Sequence, residues 1–327
     1  MVSLEPLTLW GLTLLLLAIV VDLVIGDPPG IPHPVVAIGR VVTACERLWN
    51  RGSSHVRRRN GYLLTAMVVI GVFLIAWFGL SILSRLHPGL GLVAELWLLS
   101  TTLAIKGLVE AARVVAEPLS RGDLAASRLA LSRIVGRDTA HLDEGEITRG
   151  AVETVAENTV DGITAPLFWA LIGGAPLAVA YKAVNTLDSM VGYRNTRYAD
   201  FGYASARLDD LANWLPARLT ALALWLGALV MPGMRVRGAL LSTCREAPRH
   251  ASPNAGWPEA MVARLLGVQL GGTNHYAGEV SRRATLGDPL EPLRSGHIAL
   301  AIRLMHAGWL IFLLLVLPFV LLREWLT

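Results

Sequence analysis

Apolar residues along this chain gather in blocks instead of alternating with polar ones. Residues 7–21, 62–83 and 304–322 are nearly continuous apolar runs. A helix needs roughly 18 or more such residues to cross the hydrocarbon of a bilayer. The second and third runs reach that length, and the first does so once Leu23 to Ile25 are counted past Asp22. Spans are therefore predicted over about 7–25, 61–83 and 304–322. A further helix is predicted over 90–117, with a membrane part over 90–112. Its polar residues Glu95, Thr102, Lys106, Glu110, Arg113 and Glu117 recur at helical spacing. Such a stripe should face neighbouring helices, and the helix should leave the membrane as an amphipathic extension that Pro118 ends.

Residues 119–161 are polar, carry both signs of charge and favour helix, as a cytoplasmic segment would. Two more apolar blocks follow, 163–181 and 215–231. The first contains Pro166, Gly173, Gly174 and Pro176. Irregular backbone at membrane depth survives only where protein or a water-filled cavity covers it. A full crossing would also place the arginine-bearing stretch 185–213 outside. A re-entrant hairpin resolves both points, and 215–231 is expected to be re-entrant or an additional membrane segment. The last span exits between Arg303 and Arg323, both long enough to snorkel. No repeat or linker divides the chain. The reading is one all-α, polytopic integral membrane domain over 1–327, with re-entrant or broken helices and helical cytoplasmic segments.

Composition agrees, with 54% hydrophobic residues, 17% charged residues and a mean hydropathy of +0.51; an ordinary soluble domain carries about 25% charged residues. The formal charge of +4 comes mainly from arginine. Arg40, Arg47, Arg51, Arg57, Arg58 and Arg59 crowd the loop after the first block, which places residues 26–60 in the cytoplasm and the N-terminus outside. No lysine or arginine precedes the first block and no small-residue cleavage site follows it, so it is expected to stay as an anchor. Cys45 and Cys244 lie far apart beside basic residues and read as free thiols. No basic stripe interleaved with aromatics points to nucleic acid.

Several constellations carry chemistry. Asp22, Gly26-Asp27-Pro28-Pro29 and Pro32-His33-Pro34 form either a stiff exit from the membrane or a site for a cation or amine, because an acid within a span is functional by default. Gly136-Arg137-Asp138-Thr139 offers a helix cap at Asp138 or Thr139, or an arginine fork for phosphate or carboxylate. Glu153, Glu157 and Asp161 stand at i, i+4 and i+8, lining three acids on one helical face. Like charges at that spacing repel, and a divalent cation or an amine would offset the repulsion. Magnesium suits the arrangement, since it takes one or two carboxylates and fills its shell with water and phosphate oxygens.

Lys182, Asn185 and Asp188 share another face, which a re-entrant hairpin would bring beside the acids. That composition is one of a metal–nucleotide site without a P-loop. Arg194, Arg197 and Arg207 read equally as anion contacts and as topology determinants, and Asp209 shares a face with Asn213. Ser252-Pro253-Asn254 to Ala260 is a loop entering a helix, which Gly271-Gly272 is expected to end. There is no Walker motif and no zinc spacing.

The exact strings go further. Gly26-Asp27-Pro28, Pro32-His33-Pro34-Val35, Ile134 to Asp138, Val155 to Gly162 and Ala180 to Gly192 closely resemble the CobD/CbiB family. So do Ser205-Ala206-Arg207, Asp210, Leu215 to Leu219, Ser252-Pro253-Asn254 and Leu270-Gly271-Gly272, in order, over roughly residues 20–290. One departure is Pro258, at the start of a helix. The resemblance implies an amide-forming ligase of cobalamin (vitamin B12) biosynthesis in the cell membrane, its active site facing the cytoplasm. It would join the free propionate of adenosylcobyric acid to (R)-1-amino-2-propanol phosphate, or the ethanolamine phosphate analogue, consuming ATP and giving adenosylcobinamide phosphate.

On that reading Glu157, Asp161 and Asp188, with Glu153, hold magnesium and ATP, and Asn158 and Asn185 assist. Lys182 and Arg137 stabilise phosphate charge, with Lys182, Asp161 and Arg137 as the catalytic set. Arg194 or Arg207 takes the amino-alcohol phosphate. The lipid bilayer is a partner, and other late cobalamin-pathway enzymes or further copies of the chain fit beside it. The competing class is a non-catalytic membrane protein, a sensor of the distantly similar AmpE type or a transporter. A transporter should show two symmetric halves with paired broken helices, and no internal repeat is visible.

Overall fold

The computed structural model describes residues 8–28, 30, 32–276 and 278–326; Leu7 of the first predicted span and Pro29 of the proline motif lie outside them. In chain order the helices are α1 (Leu9–Val24), α2 (Pro34–Trp49), α3 (Ser54–Leu86), α4 (Pro88–Ser100), α5 (Ile105–Ser120), α6 (Leu124–Leu131) and α7 (Glu144–Thr159). A π-helical turn, Val160–Thr164, leads into α8 (Ala165–Val191). Then come α9 (Tyr203–Ala212), α10 (Trp214–Ala228), α11 (Ala239–Glu246), α12 (Gly256–Leu266), an antiparallel hairpin of β1 (Leu270–Tyr276) and β2 (Glu279–Leu286), and α13 (Gly296–Leu326).

Four stretches are long and apolar enough to cross a membrane: Ser54–Leu86, Pro88–Ser120, Glu144–Val191 and Gly296–Arg323. This is the architecture of a helical membrane protein, as the blocks predicted, with α1 as a shorter apolar helix. Only 17% of the most apolar window of α3 is buried against 67% of the window in Glu144–Val191. The first therefore offers its side chains to lipid, and the second belongs to the protein interior. Both cysteines are free thiols.

The chain gathers into two compact units. One holds residues 1–105, 165–213 and 318–327; the other holds 106–164 and 214–317. In the first, α8 is the hub against which α1, α2, α3, α4 and α9 pack. Its core includes Ile38, Val42, Leu64, Val68, Leu187 and Phe201. The predicted interruption of α8 is present. Gly173 and Gly174 leave helical geometry, and Gly174 adopts φ 66°, ψ −163°, a region that is essentially glycine's alone. Glu95 is buried on α4, a helix that packs against α8.

The expected single helix over 90–117 is instead two. Thr101 to Ala104 interrupt it, and the second piece continues past Pro118 to Ser120. The break is satisfied locally: the Thr101 and Thr102 hydroxyls donate to the Leu98 and Leu99 carbonyls, and buried Asp22 accepts from the Ile105 N–H at 2.9 Å. An acid inside an apolar helix thus serves as the cap of another helix.

In the second unit α12 is the hub, packed by α7, α10, α11 and both strands, around buried Met261, Val262 and Leu265. Two cap expectations change here. Helix α12 ends at Gly267, left-handed at φ 70°, and Gly271 and Gly272 begin β1. Helix α7 is capped by Asp143 in a capping box with Glu146, while Asp138 and Thr139 do other work.

Candidate functional site

In the second unit, the loop ahead of α7 is tied to the hairpin. The Asp138 N–H donates to the His275 carbonyl at 2.8 Å, and the Gly278 N–H donates to Asp138 Oδ2 at 2.9 Å. Thr139 donates to the Arg128 carbonyl. This tether delivers Arg137 into the interior, where its side chain pairs with Glu153 of α7. Glu153 also accepts from the Gly271 N–H at 2.8 Å. Arg137 and Arg149 both donate to Asn274 Oδ1, at 2.5 and 3.1 Å, and Arg149 reaches the Gly271 and Thr273 carbonyls. Gly272 lets the β1 backbone approach Arg149, where a Cβ would come within 3.3 Å of Nη1.

The same unit buries a second acid. Glu259, near the start of α12, lies 3.9 Å from His250 Nε2, the two side chains being 2% and 5% exposed. Burial, reinforced by the carboxylates of Glu153 and Glu157, pushes the Glu259 carboxyl well above the usual range. Burial holds the His250 imidazole below its ordinary value. Burial thus favours the neutral form of both side chains. His250 Nδ1 lies 3.1 Å from the Ser252 N–H and 3.3 Å from the Ser252 carbonyl, so it can accept from the one or donate to the other. His250 Nε2 and Asn274 Nδ2 are buried without a hydrogen-bond partner among the described residues. An unsatisfied amide donor on Asn274, beside Arg137 and Arg149, suits a ligand rich in acceptor oxygens. Arg137 also lines a cavity of about 1000 Å³ with Arg128, His141, Glu146 and His275, large enough for a substantial ligand.

The predicted acids divide. Glu153 is buried and engaged by Arg137 and Gly271, Glu157 is exposed, and Asp161 is half-buried within the π turn. A π turn widens the helix by one residue, so the three do not line one uniform face. Asn158 donates back to the Thr154 carbonyl at 2.9 Å. Among the described residues no three His, Cys, Asp or Glu side chains gather as a metal cage. Magnesium takes only one or two protein carboxylates, and Glu157 and Asp161 are the residues here that could offer them.

The remaining predicted residues belong to the first unit. Lys182, Asn185 and Asp188 are half-buried at i, i+3 and i+6 on the C-terminal half of α8. Asp188 lies within electrostatic range of Asp210 and Arg194. Burial raises the Asp210 carboxyl, and Arg207 and Arg194 act against that rise. Arg207 is exposed, 3.6 Å from Asp210, with its guanidinium over the Tyr203 ring. Arg194 is exposed as well. Asp209 and Asn213 do share a face, joined at 3.1 Å, and Tyr181 donates to Asn213.

Sequence reasoning passed over Arg149 and His250, and gave Glu259, Asn274 and Arg283 no place in the site. The available signal was Glu259 itself, an acid in the otherwise apolar run Pro258 to Val262.

Comparison with known proteins places these residues in context. The family model described as CobD/Cbib protein matches residues 15–305. The chain is 50% identical over 301 residues to the Cobalamin biosynthesis protein CobD of Geobacter metallireducens, covering 92% of this chain and 94% of that one. It is 48% identical over 303 residues to the protein of the same name from Halalkalibacterium halodurans, covering 91% and 94%. It is also 48% identical over 293 residues to the Cobalamin biosynthesis protein CbiB of Salmonella typhimurium, covering 88% and 91%. No solved structure matches the chain.

Proposed function

This chain belongs to the CobD/Cbib family, and we propose that within cobalamin biosynthesis it is an ATP-dependent amide ligase of the membrane. Its substrates on this reading are adenosylcobyric acid and 1-amino-2-propanol phosphate or ethanolamine phosphate. The observation that carries the proposal is the buried, unsatisfied donor Asn274 Nδ2, set beside the guanidiniums of Arg137 and Arg149. Such a cluster suits polyphosphate or carboxylate oxygens.

A carboxylate is a poor electrophile. The free propionate would attack the terminal phosphorus of ATP, ADP would leave, and an acyl phosphate would form. The amine then attacks the acyl carbon and inorganic phosphate leaves, closing the amide. Charge builds on phosphate oxygens in both steps, and donors already in place lower that cost. Arg137, held rigid by Glu153 and Asn274, is assigned to phosphate charge. Glu157 and Asp161 would hold magnesium, which supplies charge neutralisation on the nucleotide. His250, whose Nε2 is unpartnered among the described residues and 3.9 Å from Glu259, would take the proton that the attacking amine sheds. Lys182, Asn185, Asp188, Arg194 and Arg207 keep the roles given by the family resemblance, as proposals of the same kind.

The test uses the detergent-solubilised full chain with adenosylcobyric acid, the amino-alcohol phosphate and Mg–ATP, with the corrinoid product read by mass. Amide formation is expected from the parent and lost in Asp161→Ala at unchanged membrane insertion. A fully active Asp161→Ala removes that residue from the mechanism. No amide product with any nucleotide would favour a sensor or transporter instead.

A further inference from the structure

The loop between α2 and α3 builds a second polar site, wholly within the first unit and apart from the chemistry proposed above. Glu46, Arg47, Asn50, Arg51, Arg57 and Arg197 line a cavity of about 440 Å³. Arg197 is committed to buried Glu46 at 2.9 Å, and Arg57 is held by Asp200 at 2.9 Å and by the Thr196 carbonyl at 3.2 Å. Two of the four guanidiniums are thereby matched. Arg47 and Arg51 are exposed and make no ion pair among the described residues, so the cavity keeps an excess of two positive charges.

Two further features sharpen its preference. Arg57 Nε is buried with no hydrogen-bond partner among the described residues, a donor without an acceptor. Arg57 also stands in the first turn of α3, whose N-cap Ser53 gives no side-chain cap. That leaves the positive end of a 33-residue helix facing the same region.

We infer that this cavity is a binding site for a phosphate anion, seated as the headgroup of an anionic phospholipid. Its place in the chain favours that source: exposed Leu48 follows Arg47, and exposed Tyr62 and Leu63 begin the lipid-facing part of α3. Acyl chains could lie along these residues while the phosphate meets the arginines. Basic pockets beside membrane helices bind anionic headgroups on these terms.

The test compares the full chain purified in detergent with an Arg47→Gln/Arg51→Gln variant and a control, Arg121→Gln/Arg133→Gln, which removes the same charge from exposed positions elsewhere. Each is exposed to phosphatidylglycerol, phosphatidylcholine or inorganic phosphate, with retained ligand read by native mass spectrometry and thermal stability alongside. The parent and the control are expected to retain phosphatidylglycerol over phosphatidylcholine. The Arg47/Arg51 variant should lose about tenfold or more of that retention. Stabilisation by inorganic phosphate alone, lost in the same variant, supports the phosphate site and identifies a soluble source. Equal phosphatidylglycerol retention by all three proteins, or no response to either phosphate source, overturns the inference.

Discussion

Arg137 and Glu153 form an ion pair whose side chains are only 6% and 7% exposed, and each is held by further hydrogen bonds to β1. The Gly271 N–H donates to Glu153, and Asn274 Oδ1 accepts from Arg137. Removing one partner leaves a buried charge uncompensated, which typically costs about 3–5 kcal/mol. Glu153→Gln or Arg137→Met alone should therefore be strongly destabilised. The double variant should recover part of the loss, because no orphan charge remains. Denaturant unfolding in detergent across the double-mutant cycle measures this, and additive losses would mean that the two side chains are not coupled.

Asp22 makes a different kind of contact. It accepts from the N–H of Ile105, the first residue of α5. Asp22→Ala should orphan that buried donor at a cost of about 1–3 kcal/mol. Asp22→Asn keeps an acceptor oxygen and should retain most of the stability. If the two variants fall equally in thermal stability, then the charge of Asp22, and not its cap, is what the fold requires.

How far the sequence could be read follows from these two cases. Apolar blocks are local facts, and they yielded a helical membrane protein without any tertiary knowledge. The break in α8 is also local, written in Gly173, Gly174 and Pro176. The break between α4 and α5 is not, because threonines are tolerated in helices and the group that stabilises the interruption lies 83 residues away. Asp22 drew attention as a membrane acid, and it supports an interrupted helix by accepting from Ile105. Arg137 and Glu153 were legible as functional types, yet their pairing across 16 residues was not. Glu259 stood in what looked like a loop entering a helix, and His250 and Asn274 carried no signal. Their character comes from burial against one another, which no spacing along the chain encodes.

Gly174 carries the α8 break at a dihedral pair that side chains rarely adopt. Holding an alanine there should cost about 1–3 kcal/mol, with the loss seen as a lower yield of folded protein and a lower unfolding temperature. Leu177→Ala, on the half-buried side of the same segment, should be milder if backbone strain is the cause. Unchanged stability of Gly174→Ala would show that the segment can relax into continuous helix.

The Glu259–His250 pair makes stability depend on pH in opposite senses. Burial raises the folded carboxyl of Glu259 above its ordinary 4.5. Its contribution is then full below about pH 4.5 and lost as pH rises through the folded value, because the unfolded chain releases that proton first. Burial lowers His250 from 6.5, so its contribution is present above about pH 6.5 and lost as pH falls through the folded value. Glu259→Gln removes only the first dependence while keeping a neutral side chain of the same shape. Its stability relative to the parent should therefore rise with pH from 4.5 towards neutrality, while the acid-side loss attributable to His250 persists. Thermal unfolding of both proteins in one detergent across that range measures the difference. Parallel pH profiles for parent and variant would mean that Glu259 is ionised in the folded protein.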